Sequence, residues 1–141
     1  MQVRRWFSRA GRTVEAALSL LAIRLALALL PFRWTLRLLR IKSRESRDPQ
    51  SSSMVDQAEE VARAIDRAAR HLPLRFACLH RSFVGLVMLR RRGIPGTVHL
   101  GVRRDTATNS LRAHAWCVSG DVPVVGGKEA PSFICVAAFA G

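Results

Sequence analysis

Cys78 and His114 are the two residues whose types and setting could carry chemistry. Cys78 opens an amphipathic run, CLHRSFVGLVMLRRRGIP, that predicts a helix, and His114 lies in RAHAWCV, which predicts a strand. A free thiol titrates at about 8.5, and a helix N-terminus with a nearby imidazolium can lower that value by roughly one to five units. Both aids are available to Cys78. The pattern therefore predicts a cysteine hydrolase or acyl transferase.

Each chemistry-bearing residue also has a purely structural interpretation. Most free cysteines are small core residues, and Cys78 could be one of them. Side chains two apart on a strand share a face, so His114 and Trp116 point together and Cys117 points away. That alternation disfavours a zinc site at His114-x-x-Cys117. Cys117 and Cys135 are predicted to be packing residues.

The other histidines and the cysteine count favour neither a metal nor a disulfide framework. His71, His80 and His99 have no evident convergent partner, and the chain has no CxxC pair. Three irregularly spaced cysteines do not form a disulfide pattern, which suits a reducing cytosol. We expect no directly bound cofactor.

Alternating and helical periodicities predict the elements that position these residues. Ser53 and Asp56 resemble a capping box at the start of a helix that ends before Pro73, and Gly93 is the expected stop of the Cys78 helix. Strands are predicted around residues 98–102, 111–118 and 122–125, with a Gly-Asp turn before the third, while 133–139 reads as a strand or a helical turn. Helices followed by an antiparallel sheet indicate an α+β fold.

The N-terminal third of the chain is basic and apolar. Residues 14–30 are nearly all apolar after four arginines, but no A-x-A cleavage site follows, and Arg24 lies within a run short of the usual ~20 residues of a membrane span. Glu15 and Arg24 fall on opposite sides of a helix, so it lacks one clean polar face. We expect burial against a partner or the domain, or shallow membrane association.

The net charge is +13 and the isoelectric point is about 11.7. Such a charge raises the expectation of an anionic partner, namely nucleic acid, phospholipid or an acidic polypeptide. No zinc finger, basic zipper or aromatic-rich strand motif accompanies the arginines, which disfavours nucleic acid.

The order and spacing of several fragments resemble the transglutaminase-like leader peptidases of lasso-peptide biosynthesis. The fragments are Cys78-Leu-His-Arg-Ser, the Leu-Arg-Arg-Arg-Gly-Ile-Pro helix end, Val-His-Leu-Gly-Val-Arg103 and Ala-His114-Ala-Trp, within about residues 74–139. The resemblance implies a transglutaminase- or papain-like core behind an N-terminal helical hairpin. The corresponding division is a basic apolar segment over 1–42, a linker over 43–53 and a peptidase domain over 54–141.

The resemblance also implies a mechanism and partners. Cys78 would attack the carbonyl at the leader-core junction of a ribosomally made precursor, and His114 would pair with the thiolate and then protonate the leaving amine. The implied setting is bacterial and cytoplasmic, with peripheral contact to the inner membrane face left open. Expected partners are the precursor peptide, a separate leader-recognition protein and an ATP-dependent macrolactam synthetase. The chain has no GxxxxGK[ST] loop, so any ATP dependence would act through that synthetase.

The sequence departs from this pattern at the third catalytic position. Related sites place an Asp on the strand beside the histidine strand. With a two-residue Gly120-Asp121 turn, the predicted register sets His114 opposite Gly127, where no carboxylate is available. Asp121 is a weak candidate because it lies roughly 20 Å along the strand. Glu129 or a backbone carbonyl could substitute, and a dyad or an inactive homologue are alternatives.

Two non-catalytic interpretations remain open from the sequence. One is a basic scaffold or membrane-associated binding protein whose N-terminal helices are the functional part. The other is a nucleic-acid binder, which predicts steep salt dependence. Within the enzyme class, acyl transfer to an amine instead of water is a further alternative.

Overall fold

The computed structural model describes residues 2–38, 51–73 and 77–141 of the chain, and these residues form an α+β fold. The predicted boundary at residue 42 lies outside the described residues. In the described part, helices precede an antiparallel sheet, as the sequence predicts. The elements are α1 (Gln2–Leu29), α2 (Phe32–Leu38), α3 (Ser52–His71), α4 (Cys78–Arg91), β1 (Thr97–Asp105), β2 (Ser110–Ser119), β3 (Val122–Val125), a 3₁₀ turn (Ala130–Ser132) and β4 (Ile134–Ala140).

The sheet has the order β3-β2-β1-β4, and all of its pairings are antiparallel. The segment after residue 133, which the sequence left open between strand and helical turn, is β4, and it pairs with the free edge of β1. A turn at Gly120 and Asp121 joins β2 to β3, as predicted, and Gly120 adopts a positive φ of 56°. The histidine strand β2 therefore lies inside the sheet, between β1 and β3.

The helix that begins with Cys78 ends as the sequence predicts. Gly93 has a φ of 67°, its N–H donates to the Arg90 carbonyl at 3.0 Å, and the Ile94 N–H donates to the Leu89 carbonyl at 3.1 Å. These two hydrogen bonds form a Schellman motif, which satisfies carbonyls that the end of a helix would leave unpaired. The C-terminal end of α4 is thus fixed by local backbone geometry.

The start of α3 differs from the prediction. The helix begins at Ser52 with Ser51 as its N-cap residue, so Ser53 is already helical and the Ser53/Asp56 capping box is wrong. The Ser51 hydroxyl contacts the Ser53 hydroxyl at 3.1 Å and makes no capping bond to the backbone. The end of α3 at His71, before Pro73, is confirmed. The last two residues of the predicted linker consequently belong to this helix.

The core lies between the helices and one face of the sheet, and α1 belongs to it. Ala16, Leu20 and Ile23 of α1 are buried in the same cluster as the apolar faces of α3 and α4 and the inward side of the sheet. The described part of the first 42 residues therefore packs as part of one hydrophobic core with the rest of the chain. No helix among residues 2–38, 51–73 and 77–141 is long and apolar enough to cross a membrane.

Polar contacts add to the packing of α1. The Arg92 guanidinium donates to both carboxylate oxygens of Glu15, at 3.2 and 2.6 Å, and Arg91 lies 3.5 Å from the same group. Arg12 of α1 also pairs with Glu60 of the neighbouring helix α3, at 2.9 Å. The hydrogen bond from Arg92, opposed by burial, lowers the pKa of Glu15 below its ordinary value. This bidentate pair joins α1 to the end of α4.

Replacing Glu15 by Gln should reduce the free energy of unfolding by about 1–2 kcal/mol at pH 7, because a charge-assisted bidentate pair is lost. A carboxylate whose pKa is lower in the folded protein than in the unfolded chain stabilises the fold at pH values above its unfolded-state pKa. This stabilisation disappears as the pH falls through the pKa of the folded state. The difference between the two proteins should therefore be full at pH 7 and shrink below about pH 4.5. Urea denaturation at pH 7 and pH 3 measures it.

The matched control is Glu59→Gln, since Glu59 pairs with Arg63 at 3.4 Å on an exposed surface. Exposed pairs contribute little, so this variant should lie within about 0.5 kcal/mol of the native chain. Equal losses for both variants, or a Glu15→Gln loss that does not change with pH, would contradict the assigned role of Glu15.

Candidate active site

Cys78 is the first residue of α4, as predicted, and it is partly buried. Ala77 before it has the extended backbone of an N-cap residue and makes no side-chain capping bond. The first N–H groups of a helix have no intrahelical carbonyl to bond, and they carry the positive end of the helix dipole. The thiol of Cys78 and the backbone N–H groups of Cys78 and Leu79 are thus at the electropositive end of α4.

The packing of α4 against β2 determines the position of Cys78 along the length of strand β2. A Cβ at Gly85 would lie 3.4 Å from Cys117 Sγ, and a Cβ at Gly96, beyond the end of α4, would meet the Leu89 side chain at 2.8 Å. The Ser119 hydroxyl donates to the Pro95 carbonyl at 2.6 Å, so the later part of α4 lies near the later part of β2. The helix and the strand therefore run in the same direction.

That alignment brings Cys78 and His114 to the same end of the helix-sheet interface. Cys78 is seven residues before Gly85, or about 10 Å at the rise of a helix, and His114 is three residues before Cys117, or about 10 Å at the rise of a strand. The two predicted site residues consequently lie at matching levels along α4 and β2.

The two side chains do not approach from the same face of the sheet. Cys117 points toward α4, and burial raises the pKa of its thiol to about 12, so its prediction as a packing residue is confirmed. His114, three residues earlier, points to the opposite face with Trp116. Among the described residues, no hydrogen bond or ion pair joins the Cys78 thiol to His114.

Aromatic rings enclose His114 on its own face of the sheet. Its ring lies 5.0 Å from Phe133 and 5.9 Å from Trp116, measured between centroids, and its side chain is 9% exposed. The shared face of His114 and Trp116 is the one that strand alternation predicts. An imidazole in this setting is largely shielded from water.

A backbone carbonyl holds the His114 ring. Nε2 lies 3.0 Å from the Gly126 carbonyl oxygen. A carbonyl can only accept, so Nε2 carries the hydrogen and Nδ1 is left to exchange a proton. In a catalytic triad a carboxylate usually fixes the tautomer in this way. Here the Gly126 carbonyl occupies that position.

The register between β2 and β3 explains why Gly126 reaches His114, and it corrects the predicted pairing. Val118 pairs with Pro123, but Cys117 pairs with Val125, so Val124 is an extra residue in the ladder. Proline has no N–H to donate, and such irregularities bend a strand. The predicted alignment, with His114 opposite Gly127, assumed an unbroken ladder and is wrong from Cys117 onward.

The carboxylates considered from the sequence lie in different places. A Glu129 oxygen is 3.8 Å from His114 Nδ1, although the side chain is largely exposed. Asp121 is exposed in the turn at the far end of β2, and none of the contacts of His114 involves it. Glu129 is therefore the carboxylate that the fold brings near the imidazole.

Sequence reasoning missed a cysteine-histidine contact elsewhere on the sheet. Cys135 Sγ lies 3.5 Å from His99 Nδ1, and the His99 ring stacks on Trp116 with centroids 5.4 Å apart. Cys135 is exposed, so its prediction as a packing residue is wrong. The pairing of β4 with β1, which brings the two residues together, gave no local signal in the sequence. Unlike Cys78, Cys135 lies on a strand, β4.

His80 was also missed as a partner of the α4 N-terminus. Burial, and next the positive charge of Arg24 on α1, lower the pKa of His80, while a hydrogen bond with the Ala77 backbone acts in the opposite direction. A neutral imidazole is therefore favoured two residues after Cys78. The charge of Arg24 on α1 therefore acts on a residue in the first turn of the predicted catalytic helix.

A cavity of about 360 Å³ opens beside the first turn of α4. Arg81 contributes to its wall and pairs with Asp66 of α3 at 3.5 Å, and Gly126 forms part of the opposite wall. The carbonyl that holds His114 thus belongs to a residue that also lines this cavity. The complete lining is Ala62, Asp66, Arg81, Pro123, Val124, Val125, Gly126, Gly127 and Lys128.

Comparisons with known proteins identify one family. The model of the transglutaminase-like superfamily matches residues 8–136, which include most of α1, the whole of β1, β2 and β3, and the first residues of β4. No curated protein and no solved structure gives a significant match. In the part of the chain that the structure describes, no group of three or more His, Cys, Asp or Glu side chains could hold a metal ion.

Replacing Gly126 by Ala should displace His114. Gly126 has a φ of 68°, and a Cβ there would lie 2.9 Å from the Ala115 carbonyl oxygen and 3.0 Å from His114 Nε2. We expect a loss of about 1–2 kcal/mol of stability from the left-handed backbone alone, together with a shift of the His114 imidazole signals in NMR spectra.

Gly93→Ala is the matched control, because Gly93 has nearly the same φ and open space around its Cβ position. It should lose a comparable amount of stability and leave the His114 signals unchanged. A Gly126→Ala protein with native His114 signals would show that the carbonyl contact does not position the ring.

Proposed function

Because the chain belongs to the transglutaminase-like superfamily, we propose that it is a cysteine peptidase that removes the leader from a lasso-peptide precursor. The observation that carries the proposal is the position of Cys78 at the N-terminus of α4, level with a shielded His114 whose tautomer the Gly126 carbonyl determines. The choice of a leader peptide as substrate rests on the resemblance of the motifs around these residues to lasso leader peptidases.

The reaction needs only groups of this chain and water. The Cys78 thiolate attacks the carbonyl carbon at the leader-core junction, and the backbone N–H groups at the start of α4 stabilise the resulting oxyanion. Protonated His114 gives its Nδ1 proton to the leaving amine, which releases the core and leaves the leader as a thioester on Cys78. Water activated by His114 then hydrolyses the thioester, releasing the leader carboxylate and the thiol.

The proposal requires Cys78 and His114 to approach one another when substrate binds. Catalytic hydrogen bonds are often long in unliganded enzymes and form in the complex with substrate. Pairing between β3 and β2 ends at Cys117, so the edge of β2 beside His114 is bordered by residues 126–129 and not by a paired strand. A rearrangement of this segment would let the imidazole turn around the edge toward Cys78 at the start of α4.

The cavity between α3, α4 and residues 123–128 is the proposed binding place for substrate beside the scissile bond. It adjoins Arg81, one turn after Cys78, and the Gly126 carbonyl contact. Glu129 lies 3.8 Å from Nδ1 of His114, at the rim of the same segment. The leader-recognition protein and the macrolactam synthetase would bring the precursor and consume the released core amine.

The test is a mass-spectrometric cleavage assay containing the chain, a cognate precursor, the leader-recognition partner, the synthetase and ATP. Cys78→Ala should reduce leader release by about a thousandfold or more, and His114→Ala by roughly a hundred- to ten-thousandfold. Hydrolysis adds the mass of one water to the products, whereas transfer to an amine does not.

Cys135→Ala is the control for the nucleophile, because it removes the other thiol that contacts a histidine. It should cleave like the native chain, as should Asp121→Asn, which alters only an exposed turn residue. Cleavage by Cys78→Ala at the native rate would reject Cys78 as nucleophile. Loss of cleavage in Cys135→Ala with a native circular dichroism spectrum would move that role to the Cys135-His99 pair.

A further inference from the structure

Helix α1 is apolar on two opposite faces. One face packs into the core through Ala16, Leu20 and Ile23, and the other carries large apolar side chains that are between 39% and 71% exposed. The spacing of four, three, four and four residues keeps these side chains on one stripe, about 22 Å long at the rise of a helix. The exposed residues are Val14, Leu18, Leu21, Leu25 and Leu29.

The exposed stripe continues into α2. Leu30 is 39% and Trp34 52% exposed, while Phe32, although 38% exposed, turns its ring toward the buried Phe83 at 5.9 Å between centroids. The Arg37 guanidinium lies 5.8 Å from the centroid of the Trp34 ring, and Arg33 is also exposed. We call this combined region, from Val14 to Arg37, the α1–α2 surface. Contiguous exposed apolar patches of this kind mark interaction sites on soluble proteins.

The charges around the α1–α2 surface have one sign. Between Val14 and Arg37 the basic residues are Arg24, Arg33 and Arg37, and the single acidic residue is Glu15. The Glu15 carboxylate forms ion pairs with Arg91 and Arg92 at the end of α4. The surface therefore combines exposed leucines and a tryptophan with basic side chains, and in the described residues no exposed carboxylate of α1 or α2 offsets them.

We propose that the α1–α2 surface binds an anionic membrane surface. Leucine, phenylalanine and tryptophan with flanking arginines are the composition of helices that lie in the plane of a lipid interface. A single helix presents its stripe as a convex ridge, a shape that enters a lipid interface without needing a matching groove. Two copies of a chain with net charge +13 repel one another, which disfavours a homodimer through this surface.

The contact is peripheral, with the α1 axis parallel to the lipid plane. The opposite face of α1 is buried in the core through Ala16, Leu20 and Ile23, so only the outer stripe can enter the lipid interface. Leu18, Leu25 and Leu29 would insert, and Arg33 and Arg37 would contact lipid phosphates. The proposal does not depend on the peptidase activity, and Cys78→Ala should bind membranes like the native chain.

Sedimentation of the full chain with vesicles tests the proposal. The native chain should sediment with vesicles of phosphatidylglycerol and phosphatidylcholine, and less with phosphatidylcholine alone. The double variant Leu18→Glu/Leu25→Glu should bind at least about tenfold more weakly, because two carboxylates would have to enter the interface. Leu111→Glu is the matched control, since Leu111 is a 71% exposed leucine on β2, outside the α1–α2 surface, and it should bind like the native chain.

A second pair of variants separates a localised surface from overall charge. Arg33→Glu/Arg37→Glu should weaken binding to anionic vesicles, whereas Arg63→Glu/Arg104→Glu, with the same net charge, should have a smaller effect. Equal losses from both pairs, or no sedimentation of the native chain with anionic vesicles, would overturn the proposal. So would light scattering that showed a dimer of the native chain dissociated by Leu18→Glu/Leu25→Glu.

Discussion

The close packing of α4 on β2 is the constraint on which the candidate site depends. Gly85 lets the helix approach to within 3.4 Å of Cys117 Sγ, measured from the position a Cβ would occupy, and Cys117 is fully buried at that contact. The contact at Gly85 and the Schellman motif at Gly93 fix α4 at two places. The position of Cys78 along the sheet then follows from the rise of the helix alone. A larger side chain at position 85 or 117 would therefore affect the site at a distance, by moving the helix that carries the thiol.

The second constraint is the irregular ladder between β2 and β3. One extra residue, Val124, brings the Gly126 carbonyl to His114 Nε2, where the family pattern expects a carboxylate. A carbonyl fixes the tautomer as a carboxylate does, but it brings no negative charge to stabilise an imidazolium. A thiol nucleophile tolerates this better than a hydroxyl, because it is intrinsically more easily ionised. The nearby Glu129 can supply charge without an orienting hydrogen bond to Nε2.

The sequence predicted what depends on local pattern and missed what depends on register and tertiary contact. The α+β order, Cys78 at a helix start, the Gly93 stop and the shared face of His114 and Trp116 follow from periodicity and turn chemistry. The contact between Cys135 and His99 depends on β4 pairing with β1, across more than thirty residues, so nothing near either residue signals it. The sequence allowed a backbone carbonyl in place of the missing carboxylate but could not identify it as that of Gly126, since one bulge shifts every later pair. The capping box failed because Ser51, Ser52 and Ser53 are three adjacent cap-forming residues.

The role of α1 links the proposed membrane surface to the proposed catalytic helix. Its outer stripe is exposed, while its inner side packs into the core with α4, and Glu15 pairs with Arg92 at the end of that helix. Because α1 shares a core with α4 and is joined to the end of that helix by the Glu15–Arg92 pair, it cannot move along a lipid surface without carrying α4 with it. Membrane attachment would therefore orient the whole cysteine-bearing helix, and the sheet behind it, relative to the lipid plane. Precursor and partner proteins would then meet the Cys78 end of α4 from one restricted direction.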